Sequence, residues 1–190
     1  MRRALYLLMA LSAACCGRGS ANVSNAPAAA PTTPPNEEVV QEYIPAGILG
    51  LLRTADKFEV YSLNKQAWRD WHRDETREGL LQEAIRRLKD TEWTIGSFPA
   101  SAEERHEVLR NLYVAIGDGS GPRDCFYPTY AIHVQDEQGE AVVLFCSVCG
   151  CVVALDSATT TITRRPMPVF LDFCEFMDRL LDTHWIRSSR

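Results

Sequence analysis

Hydrophobic residues in this chain change spacing from run to run, and each spacing predicts an element. Lys57 to Leu63 alternates and is rich in β-branched and aromatic residues, which predicts a strand. Leu80, Leu81, Ala84, Ile85 and Leu88 fall on one helical stripe, so a helix capped by Asp74 is expected to run to about Lys89. Trp93 to Phe98 reads as a second short strand. Ser101-Ala-Glu-Glu104 is a capping box, and the helix it opens carries Val108, Leu109, Leu112, Tyr113 and Ile116 on one face. Glu42 to Arg53 has apolar residues around Pro45 and Gly47, which fits a short helix or an irregular lead-in.

Gly117 to Pro122 breaks the chain, and the last third then reads as a β-meander closed by a helix. Thr129 to Gln135 alternates, with Tyr130, Ile132 and Val134 on one face and His133 on the other. Asp136 to Gly139 is a turn. Glu140 to Cys146 is apolar enough for a central strand, and Cys151 to Leu155 and Thr159 to Thr163 are two further strands. Pro168 suits the first turn of a closing helix whose stripe is Phe170, Phe173, Cys174, Met177 and Leu181. Runs of strands beside helices predict an α+β fold, a mainly antiparallel sheet packed with two or three helices.

Two segments precede that domain. Arg2 and Arg3 lead an apolar run from Ala4 to Ala14, too short for a membrane span of about twenty residues and laid out like a secretory signal. Leu11-Ser-Ala-Ala-Cys15 resembles a lipobox, with the leucine four residues before the cysteine rather than three. Residues 1–15 are therefore expected to be a lipoprotein-type signal, with Cys15 as the lipidated residue and Cys16 as the poorer fit. Residues 16–38 are Pro- and Ala-rich and carry one β-branched aliphatic and no aromatic, so they predict a disordered tether. Residues 39–190 form the expected single globular domain, of ordinary size.

Charge narrows the partners. The chain carries a formal −5, two units more negative once Arg2 and Arg3 leave with the signal. The only basic doublets of the domain are Arg86-Arg87 and Arg164-Arg165, so nucleic acid is not an expected partner. The membrane, through the N-terminal lipid, and a protein of the cell envelope are.

Five cysteines fall in the domain, at 125, 146, 149, 151 and 174. A structural disulfide from Cys125 to Cys149 or Cys146 fits an exported chain, because the strands around the Asp136–Gly139 turn bring these ends near each other. A zinc site would use Cys146 and Cys149 as a C-x-x-C pair, with Cys125 and either Cys151 or His133 completing four ligands, but a second knuckle is missing. A redox-active C-x-x-C would want a helix N-terminus to depress the thiol pKa, and here strand-like runs flank the motif. Cys174 sits on an apolar helix face, where a thiol behaves as a small hydrophobe.

Cys125-Phe-Tyr-Pro-Thr-Tyr-Ala-Ile132, followed by Leu144-Phe-Cys-Ser-Val-Cys149, resembles a group of small bacterial proteins, many of them lipoproteins. Their mark is Cys-[Phe/Tyr]-x-Pro-Arg-His-x-[Ile/Leu] and then an apolar strand ending in Cys-x-x-Cys. The likeness also takes in the strand near Phe58–Leu63 and the closing helix. Thr129 and Tyr130 stand where that group has Arg and His. The resemblance implies a fold and no activity.

Other reactive constellations are missing. There is no Gly-x-Ser-x-Gly, no His-Glu-x-x-His and no phosphate loop. His106, His133 and His184 lie singly. Trp68 and Trp71 are expected to pack on a sheet, His72 to face solvent, and Glu103, Glu104 and Glu107 to complement a helix start. The expected protein is an exported, lipid-anchored, non-enzymatic binding or envelope-associated domain braced by cysteines, with no cofactor. The alternative is a zinc- or thiol-dependent envelope protein using Cys125, Cys146 and Cys149.

Overall fold

The central strands are apolar at successive positions, and that forces cover on both faces of the sheet. The structure, a computed structural model, describes residues 37–70, 79–116, 127–157, 160–163 and 170–188. All of these lie in the compact unit Pro31–Arg190. In chain order they form helices α1 (Glu37–Gln41) and α2 (Ala46–Thr54), strand β1 (Lys57–Leu63), a 3₁₀ turn (Ala67–Asp70) and α3 (Leu80–Leu88). Then come β2 (Thr94–Pro99), α4 (Ala102–Ala115), β3 (Tyr130–Gln135), β4 (Glu140–Phe145), β5 (Val152–Asp156), β6 (Thr160–Thr163) and α5 (Phe170–Ser188).

The six strands make one sheet in the order β2-β1-β3-β4-β5-β6, and every neighbouring pair is antiparallel. The architecture is α+β, as the element pattern predicts. β3, β4 and β5 are the expected meander. The β3–β4 turn is held by the Asp136 carboxylate, whose Oδ1 accepts from the amides of Gln138 at 2.7 Å and Gly139 at 3.0 Å.

Side chains alternate across the sheet and build a core on each face. Phe58, Val60, Ile132, Val134, Val143 and Phe145 pack with α1, α2, α4 and α5. Tyr61, Leu63, Ala131, Val142, Leu144 and Leu155 pack with Trp68 and the stripe of α3. The sheet is therefore the middle of three layers. His133 belongs to this second face and is buried, 1 % exposed, rather than set on a solvated side.

Local signals explain the helix ends. The Ser101 capping box is present: the Glu104 amide donates to Ser101 Oγ, and the Ser101 amide donates to Glu104 Oε2 at 2.9 Å. Pro45 precedes α2, so the stretch Glu42–Arg53 is a short lead-in followed by a helix, and α1 lies before it. The described part of α3 begins at Leu80. Asp74, Trp71, His72, Pro168 and the break at 117–122 lie outside the described residues.

Trp68 anchors the α3 side. It is fully buried, its Nε1 donates to the Trp93 carbonyl at 2.8 Å, and its ring meets Trp93 edge-on at 6.0 Å. The Arg87 guanidinium lies 4.0 Å from the Trp93 ring centroid, a cation–π contact. Arg86 and Arg87 both donate to Glu83, and the Arg86 bond first, then Arg87, hold the Glu83 carboxyl at about 2. Trp68→Ala is expected to lower the unfolding free energy by about 3–5 kcal/mol, through the cavity and the lost indole bond. Urea denaturation followed by circular dichroism measures it, and a loss under about 1 kcal/mol would contradict the anchoring role.

Candidate functional site

β4 delivers Cys146 directly into a tight turn, and β5 leaves that turn at Cys151. The Gly150 amide donates to the Cys146 carbonyl at 2.8 Å, and the Cys146 amide donates to the Cys151 carbonyl at 3.0 Å. Gly150 has φ 67°, the left-handed region that a side chain disfavours, so this turn needs glycine there. The result is a small buried cluster of Cys146, Cys149 and Cys151, with the half-buried Tyr127 against it. The Tyr127 amide lies 3.3 Å from Cys146 Sγ and donates to it. Cys151 Sγ approaches the Cys149 carbonyl at 3.8 Å.

The chemistry of this turn is subdued. A hydrogen bond to the Cys149 thiol and burial both push the Cys146 thiol well up, and the Tyr127 amide only partly offsets them. A thiol held up in this way is a poor nucleophile, because the thiolate is the reactive form. Cys174, on α5, is pushed up to about 12 by burial, then by the nearby Asp178 and Cys146. Cys146, Cys149, Cys151 and Cys174 carry no disulfide in this structure. Among the described residues no group of three or more His, Cys, Asp or Glu is placed to hold a metal ion. Cys125, Cys15 and Cys16 lie outside the described residues.

Thr129 and Tyr130, which stand at the Arg and His positions of the resembled group, are wired into the fold. Thr129 Oγ1 accepts from the Ser147 amide at 3.1 Å, next to the cysteine turn. The Tyr130 hydroxyl donates to Asp178 Oδ1 at 2.6 Å and so ties β3 to α5. Burial, and then Asp178, raise the Tyr130 hydroxyl pKa.

The register brings together polar side chains that sequence spacing leaves apart. His133 pairs with Glu59 on β1 and with Val142 on β4. Its Nε2 donates to Glu140 Oε1 at 2.8 Å; its Nδ1, buried and without a hydrogen bond, faces Glu59 Oε2 at 3.7 Å. The Tyr61 hydroxyl donates to the same Glu59 oxygen at 2.5 Å, and the Lys57 ammonium lies 3.1 Å from it. Burial alone would raise the Glu59 carboxyl, but Tyr61, Lys57 and His133 together hold it below its ordinary value. Glu59 and Tyr61 line a cavity of about 380 Å³ between β1, β2 and the end of α3.

His184 is likewise not alone. Its Nε2 meets Glu104 Oε1 at 2.6 Å, and its ring stacks on Phe98 at 3.7 Å. The capping-box glutamate therefore also ties α4 to α5. Ser101, Glu104 and His184 do not form a Ser-His-Glu relay, because the carboxylate lies between the other two. Beside His184, a groove of about 480 Å³ runs between α5 and β2. No family model, curated protein or solved structure matches this chain.

The Glu104 junction carries a pH dependence with a definite sign. Burial raises its carboxyl, but the Ser101 amide, His184 and the Ser101 hydroxyl together bring it below 4.5. The folded state thus binds that proton less readily than the unfolded chain. The contribution is present above the unfolded value and is lost as pH falls through the lower folded value. Glu104→Gln is expected to be less stable than the parent at pH 7, with the gap closing between about pH 5 and pH 3. Thermal melts across that range check it; a gap that does not change with pH would exclude the carboxylate as its source.

Proposed function

We propose that the protein is an exported bacterial lipoprotein, anchored through a lipid on Cys15 and holding a non-enzymatic binding domain at the cell envelope. The observation that carries this reading is the order of segments: a basic and apolar signal ending at Ser-Ala-Ala-Cys15, a Pro-rich tether, then a folded domain. No described helix is long and apolar enough to cross a membrane. Several acyl chains on one cysteine hold a protein stably, because each buried CH₂ contributes about 0.8 kcal/mol. On this reading the chain is a divergent relative of the Cys-Phe-x-Pro lipoproteins.

The cysteine turn supports bracing over chemistry. Its three thiols are buried and Cys146 is held up, which does not suit a redox thiolate. The pairing of β3 with β4 puts Thr129 beside Phe145, amide to carbonyl at 2.8 Å, and Cys125 precedes Thr129 by four residues in the sequence. On this reading Cys146 or Cys149, neither of which carries a disulfide in this structure, is oxidised with Cys125 in the exported protein, a bridge worth about 2–4 kcal/mol.

Two measurements test the reading. Cys15→Ser is expected to move the protein from the membrane fraction to the soluble periplasmic fraction. An unchanged distribution would refute lipidation at Cys15. Exported protein denatured without reductant is expected to show two fewer alkylatable thiols than reduced protein, and no bound metal. Stoichiometric zinc that disappears in Cys149→Ser would replace bracing by a disulfide with a zinc site.

A further inference from the structure

The sheet face under α3 turns polar near the β3–β4 turn. There Glu59, His133 and Glu140 stand on the neighbouring strands β1, β3 and β4, and His133 is buried between the two carboxylates. The cysteine turn adjoins the other end of β3, where Tyr130 lies opposite Phe145.

A carboxylate only accepts, so the 2.8 Å bond to Glu140 puts a proton on Nε2 of His133. In a neutral ring Nδ1 then carries a lone pair. That lone pair meets no hydrogen-bond donor and faces Glu59 Oε2 at 3.7 Å. A protonated Nδ1 would draw the oxygen in to about 2.7–2.9 Å, the length of a charge-assisted bond. The longer gap is that of two electron-rich atoms held apart. Glu59 is kept there by its other partners, the Tyr61 hydroxyl at 2.5 Å and the Lys57 ammonium at 3.1 Å.

The two cations open to Glu59 differ in setting. The Lys57 side chain is 41 % exposed and that of His133 is 1 % exposed. A charge pair gains strength where water is excluded, so an imidazolium at His133 displaces the Lys57 ammonium from the shared oxygen. Among the described residues, the other charged groups about the cluster are Lys89 and Asp90, which line the same cavity as Lys57, Glu59 and Tyr61. Glu83 and Arg87 on α3 pair with each other. The α3 stripe over the sheet is apolar, as are Val142 on β4 and Leu155 on β5.

We propose that His133 is a proton-operated switch: a proton taken up at Nδ1 lets the ring replace Lys57 as the cation on Glu59, and the Lys57 ammonium is released into the cavity. Acidification then swings the Glu59 carboxylate inwards and makes the cavity wall one charge more positive. Glu59 itself stays ionised: burial raises its carboxyl, but Tyr61, Lys57 and His133 together hold it below the ordinary value. The switch is independent of the lipid anchor.

The test is NMR of the full chain, labelled with stable carbon and nitrogen isotopes, in non-ionic detergent. The spectra run from about pH 8 to pH 5, the range in which histidine changes charge. At the upper end the His133 ring is expected as the Nε2–H tautomer. On acidification both ring nitrogens are expected to become protonated, and Glu59 Cδ and Lys57 Cε to shift with the same midpoint. Glu59→Gln is expected to abolish the Lys57 response. In Lys57→Met, which removes the ammonium and leaves the carboxylate, Glu59 Cδ is expected still to follow the ring. If Glu59→Gln does not fold, the parent and Lys57→Met spectra carry the test. An Nδ1–H tautomer at the upper end, or a ring that does not protonate in this range, would overturn the proposal. So would a ring that protonates with Glu59 or Lys57 unmoved, or a Lys57 shift that survives Glu59→Gln.

Discussion

The antiparallel pairing of β3 with β4, buried on both faces, is the constraint on which the rest of the structure depends. Residues 130–134 and 141–145 are all buried, so neither strand has a face to offer water. An antiparallel sheet of this kind needs a layer on each side. α2, α4 and α5 cover one face and the Trp68–α3 unit covers the other, and each helix shows the stripe that this task requires. A one-residue slip of β3 against β4 would exchange the two faces, and with them the partners of Tyr130 and His133.

That pairing also sets the polar features. Tyr130 reaches Asp178 only because even-numbered residues of β3 face α5, and His133 reaches Glu59 and Glu140 only because odd-numbered ones do not. The Cys146–Cys151 turn is the continuation of the same ladder, extended by the Thr129 amide bond to Phe145. The cysteine cluster is thus an end-piece of the core. Its buried, raised thiol reads as part of the packing.

Much of the fold is legible in the residues themselves. The Ser101–Glu104 box, the α3 stripe and the Asp136–Gly139 turn are local devices, each satisfied by neighbours within a few positions, and they appear as the spacing predicts. β2 runs from Thr94 rather than Trp93, since Trp93 is drawn into the turn by the Asp90 carbonyl and by Trp68. The candidate site is less legible. His133, Glu59 and Glu140 are scattered on three strands, and the pairing of His184 with Glu104 spans eighty positions. A histidine at an alternating position suggests a solvated face unless the cover over that face is known.

Sequence alone determined the period of most elements, several caps and turns, and the antiparallel α+β class. These rest on interactions between near neighbours, or on the mean apolar content of a run. Tertiary structure alone decided that the sheet is a middle layer, that His133 is buried between two carboxylates, and that β2 ends the sheet between two cavities. Each of those depends on which distant strand or helix lies across the sheet, and the entropy of closing such long loops is offset only by burial that no single segment encodes.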